Sequence, residues 1–62
     1  MQLINVDTLT AYRNMNPQQA DRVIEAIRKG DLNVDLEECL DFDGDLVVDS
    51  ETYNDIKNFL NR

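Results

Sequence analysis

Three carboxylates alternate along the chain at Asp41, Asp43 and Asp45, and a fourth follows at Asp49. Acids at alternate positions can turn their oxygens toward one centre, which is what a hard cation such as calcium requires. Without a cation, the same acids make a negative surface that attracts cationic groups on another protein. Phe42 and Val47 stand among them and could anchor such a contact by burying apolar area. Nucleophilic chemistry has much less to work with. The chain has no histidine and one cysteine, Cys39, whose acidic neighbours Glu37, Glu38 and Asp41 disfavour a thiolate. The same counts exclude an intrachain disulfide and a Cys/His zinc centre. Paired carboxylates can perform acid–base catalysis, but 62 residues rarely enclose a substrate pocket. The expectation is therefore a protein that is not an enzyme and carries no cofactor.

The run from Asp41 to Leu60 resembles an EF-hand or dockerin calcium loop with its exiting helix. Asp41, Asp43, Asp45 and Asp49 match loop positions one, three, five and nine, and Val48 matches the apolar eighth position. Tyr53, Ile56, Lys57 and Leu60 follow the dockerin-like helix pattern. The resemblance covers about a third of the chain. It implies a calcium site at residues 41–52, with Asp41, Asp43, Asp45 and Asp49 as its ligands. Two positions depart from the pattern. Leu46 stands where the sharp turn takes glycine, and Thr52 where a bidentate carboxylate belongs. Two shorter likenesses lack their structural context. The stretch from Asp41 to Leu46, with Asp49-Ser50-Glu51, looks like the nucleophile motif of haloacid-dehalogenase-type phosphatases, but only 11 residues follow Glu51. Asp41-Phe42-Asp43-Gly44-Asp45 is also similar to the magnesium triad of cellular RNA polymerases, which sits in a core this chain is too short to build.

Four elements must position these residues. The clearest is a helix over 17–29. Asn16 is its cap, Gln19 completes a capping box, and Pro17 occupies the first helical position. Ala20, Val23, Ile24 and Ile27 form its apolar stripe, and Gly30 follows Arg28 and Lys29 as the stop. A shorter helix is predicted over 8–15, capped by Asp7, with Leu9, Tyr12 and Met15 inward and Asn14 preceding the break at Pro17. A third helix is predicted over 50–61, capped by Asp49, with Tyr53, Ile56 and Leu60 inward and Phe59 beside them. Between them, Leu36, Leu40 and Phe42 alternate as in a strand, and Asp43-Gly44 signals a turn. The preferred reading is an acidic β-hairpin over about 36–48, with Phe42 facing Leu46 and Leu40 facing Val48. The competing reading makes 35–41 a short helix capped by Asp35, which would leave an all-α chain. The expected fold is thus a single α+β domain spanning 1–62, with two N-terminal helices, a hairpin and a C-terminal helix.

Charge is distributed unevenly over these elements. Residues 1–30 carry a net +1, whereas residues 31–62 carry −8, and no basic residue lies between Asp31 and Asp55. In the strand reading Asp35, Glu37 and Asp41 project from one face at about 7 Å per two residues, and Asp43, Asp45 and Asp49 continue the row. Such a ridge repels nucleic acid and suits a basic protein surface, including one that itself binds nucleic acid. The expected function is a small interaction protein, of the inhibitor or nucleic-acid-mimic kind that phage and mobile elements encode. Its expected contacts are Glu37, Asp41, Phe42, Asp43, Asp45, Val47 and Asp49. The alternative is a calcium-binding module at 41–52, and a homodimer is a further option. No apolar run suggests a membrane span or signal peptide, and the lone thiol suits a reducing cytoplasm.

Overall fold

The computed structural model describes residues 1–12 and 15–62. Among the described residues three short strands and three helices follow one another as β1 (Leu3–Asn5), β2 (Thr10–Tyr12), α1 (Pro17–Lys29), α2 (Leu36–Cys39), β3 (Leu46–Val48) and α3 (Ser50–Leu60). The class is mixed α+β. The strands form one sheet in the order β2-β1-β3, antiparallel between β1 and β2 and parallel between β1 and β3. A parallel pair needs a long crossover. Here β2, α1 and α2 all lie within it.

Helix α1 begins and ends where its sequence demands. Asn16 accepts the Gln19 N–H while the Gln19 side chain accepts the Asn16 N–H, both at 2.9 Å. Gly30 closes the helix at φ 88°, a left-handed conformation that glycine adopts without a Cβ penalty. Helix α3 starts at Asp49, whose carboxylate accepts the Thr52 N–H at 2.9 Å. Both helices bury one stripe: Ala20, Val23 and Ala26 from α1, and Tyr53, Ile56 and Leu60 from α3. Leu3 of β1 and Leu46 and Val48 of β3 meet them in the core. Leu3, Leu46, Ile56 and Val23 are wholly buried. Each such side chain stabilises the fold by roughly 1.5–3 kcal/mol relative to exposure.

The predicted helix over 8–15 does not form. Residues 3–12 make a β-hairpin instead, and positions 13 and 14 of that prediction lie outside the described residues. The cause is local. The Asn5 side chain accepts the Asp7 N–H at 2.9 Å, the Asn5 carbonyl accepts the Leu9 N–H at 2.8 Å, and Leu9 turns the chain at φ 58°. Leu9, expected inward, is 82% exposed, whereas Tyr12 and Met15 do pack against the core. Asp7 does not cap a helix of its own. Its carboxylate accepts both the Ser50 N–H and the Ser50 hydroxyl at 3.0 Å, tying β1 to the start of α3.

The acidic hairpin over 36–48 is also corrected. Asp35 caps a single helical turn at Leu36–Cys39 by accepting the Glu37 N–H at 3.0 Å, which removes those residues from any strand. Only one bridge of the expected ladder survives, and it joins Leu40 to Leu46 rather than to Val48. The shift of two residues expels Phe42 from the ladder. Elements of both readings therefore coexist: a helical turn, a tight acidic loop and then β3.

Candidate functional site

The loop Asp41–Asp45 is built around one carboxylate. Asp41 Oδ1 accepts the Asp43 N–H at 3.0 Å and the Asp45 N–H at 2.8 Å. The backbone closes the same loop: the Asp41 N–H donates to the Asp45 carbonyl at 3.0 Å, and the Gly44 N–H to the Asp41 carbonyl at 3.2 Å. Gly44 supplies the positive φ of 80° that the turn needs. Asp45 is anchored from outside, since its carboxylate accepts the Gln2 N–H at 2.9 Å. Asp43 makes no side-chain hydrogen bond among the described residues.

This folding gathers Asp41, Asp43 and Asp45 so that one oxygen of each lies within 4.8 Å of the others. Phe42 lies between Asp41 and Asp43 in the chain and is fully exposed at 109%. Among the described residues no cation forms an ion pair with them. Among the described residues the ion pair that forms is Lys29 to Glu25 at 3.0 Å, on α1. Arg22 and Arg62 lie over the Phe59 ring at 5.3 and 6.0 Å, and Lys57 over the Tyr53 ring at 5.3 Å. Arg13 lies outside the described residues.

The remaining predicted contacts fall elsewhere. Glu37 sits with Glu38 on α2, so the row Asp35, Glu37, Asp41 expected along a strand face does not exist. Val47 is half-buried in the middle of β3. Asp49 is committed to capping α3, and the Thr52 N–H and hydroxyl hold its carboxyl below the usual carboxylate range. The four acids of the calcium-loop pattern are thus brought together as three, with Asp49 apart from them. Leu46, in the glycine position of that pattern, is wholly buried within β3, and Thr52 lies in the first turn of α3.

Cys39 is half-buried beside the loop. Burial pushes its thiol up, the Asp35 backbone contact opposes this, and the nearby Asp35, Glu38 and Asp49 carboxylates push it further up. The direction agrees with the sequence expectation, although burial leads and the charged neighbours are partly different ones. Two surface clefts border α1 and α3, one lined by Arg22, Glu25, Lys29 and Phe59, the other by Asp31, Asp55, Asn58 and Arg62. Neither includes a residue of the acidic loop. No helix is long and apolar enough to cross a membrane among the described residues. No family model, curated protein or solved structure matches the chain.

What sequence reasoning missed is a small polar junction. Asn5, buried on β1, donates to the Ser50 hydroxyl at 3.2 Å, and that hydroxyl lies 3.0 Å from Asp7. The similar strings Val6-Asp7-Thr8 and Val48-Asp49-Ser50 were the visible signal. They meet in space because β1 and β3 pair in parallel.

Proposed function

We propose that this protein is a non-enzymatic docking module that binds a basic protein surface through the Asp41–Asp45 loop. The observation that carries the reading is Phe42, a fully exposed aromatic ring set among three carboxylates with no cationic partner in the described chain. Folding does not explain an aromatic side chain held in water, whereas docking does, because burial against a partner releases its hydration. The carboxylates steer a cationic partner and fix its orientation, and Phe42 supplies affinity. Glu37 extends the negative field from α2, and Val47 and Asp49 border it along β3. A cytoplasmic setting keeps Cys39 reduced, and the partner belongs to the class of basic, nucleic-acid-binding proteins that such a module inhibits by occupying their cationic groove.

Capture from a host extract at low and high salt tests this with three variants. Asp43→Lys and Phe42→Ala leave the loop's hydrogen bonds intact and are expected to abolish capture of the same partner. Asp21→Lys makes the same change in net charge on α1 and is expected to retain it. Equal capture by all three, or capture indifferent to salt, removes the proposal.

One observation favours a second reading, calcium binding at the loop. Three carboxylate oxygens within 4.8 Å repel one another, and a divalent cation relieves that repulsion. Asp41, Asp43 and Asp45 would be its side-chain ligands. A rise in melting temperature at micromolar calcium, lost in Asp43→Asn, supports this reading, because a ligand that binds the native state stabilises it.

A further inference from the structure

The helices cover one face of the sheet, and the other face bears on the docking module proposed above. Leu3, Asn5, Leu46 and Val48 point inward. Side chains alternate along a strand, so their neighbours point the opposite way. Ile4 stands opposite Ala11 on β2 and Val47 on β3, making one apolar row across all three strands. All three are partly exposed, and none belongs to the side chains packed on the core cluster. Val6 lies just beyond β1, where its N–H continues the ladder to the Val48 carbonyl at 2.8 Å, and its side chain is half-exposed. The row is thus a half-buried apolar strip that reaches solvent and lies apart from the core. At its β3 end it meets the acidic loop, because Asp45 directly precedes β3 and is bonded to Gln2 beside β1.

We infer that this open sheet face seats a basic amphipathic helix of the partner, with its apolar side chains on Ile4, Ala11 and Val47 and its cationic last turn against Asp41, Asp43 and Asp45. The inference rests on the docking reading. Three strands at about 4.8 Å spacing span about 10 Å, the diameter of a helix with its side chains. Cations in the last turn of a helix are also favoured by its dipole, so apolar and charged contacts can be made by one segment. A second copy of this chain fits poorly, since each carries a net charge of −7 and like-charged copies repel.

The test uses a synthetic 12-residue amphipathic helix with leucines along one face and lysines in the last turn, titrated into the full chain while backbone amide resonances are followed. The expected result is joint movement of Ile4, Ala11 and Val47 with residues 43–45, an affinity at least tenfold weaker for Val47→Lys, and a smaller loss for Val47→Thr, which suits a strand and preserves the fold. Movement confined to residues 41–45 overturns the inference while leaving the docking loop standing. Resonances of the sheet face that shift with protein concentration alone, before peptide is added, also overturn it, because they assign that face to self-association. No response anywhere at millimolar peptide overturns both readings.

Discussion

Leu9 holds a φ of 58°, a conformation costing an L-residue roughly 1–2 kcal/mol. Its side chain is 82% exposed and gains little from packing. Leu9→Gly is therefore expected to raise stability by about 0.5–1 kcal/mol, the relief of strain exceeding glycine's greater unfolded entropy. Urea unfolding monitored by circular dichroism checks this, and a lower midpoint would refute it. The same residue explains why the first hairpin was illegible in the sequence. Leu9, Tyr12 and Met15 have helical spacing, and the pattern is true of two of them, since Tyr12 and Met15 do face the core. What overrides it is Asn5, which turns the chain before a helix can start. Asn5 reads as an ordinary polar residue until its partner Ser50, 45 positions away, is in place. At the acidic loop the residue types were readable and their geometry was not. Asp41, Asp43 and Asp45 do converge, but the side chain of Asp41, rather than a strand register, sets where Phe42 points.

Elements with punctuation at both ends were the most legible. Helix α1 is framed by Asn16-Pro17, Gln19 and Gly30, and its bounds are those expected from them. Helix α3 owes its start to Asp49, and a pH dependence follows. The native carboxyl is held below the usual range by the N–H and hydroxyl of Thr52. The ionised form therefore favours the folded state. Its contribution is fully present above the unfolded carboxylate value of about 4 and is lost as pH falls through the lower native value. Asp49→Asn keeps a capping oxygen but removes the titration. Thermal melts between pH 7 and 2.5 are expected to fall less steeply for this variant below about pH 4, and parallel curves would show that the Asp49 charge is not coupled to folding. Helix α2 was legible only as an alternative. A single helical turn has no periodicity, so Asp35 had to be weighed against the alternating Leu36, Leu40 and Phe42.

At the scale of the molecule, three-residue strands carry almost no pattern, so nothing local announces that β1 and β3 pair across 43 positions. That pairing nonetheless sets the core, because it places Leu3 beside Leu46 over Ile56 and Val23. Leu46→Ala is expected to cost about 2–5 kcal/mol. A chain of this size has only a few kcal/mol to lose, so the variant should be largely unfolded at 37 °C. Val47→Ala, one position along but on the opposite face, should cost far less. Equal losses in chemical denaturation would show that both faces of the sheet are packed alike.

The bond from the Gln2 N–H to Asp45 carries a practical consequence. Any polypeptide attached ahead of Met1 must leave the molecule alongside the loop that bears Phe42. An affinity tag or fluorescent protein fused there would crowd the surface under test, and a histidine tag would add cations to it. Immobilisation through Arg62, which borders a cleft with Asp31 and Asn33 rather than the loop, leaves that surface free.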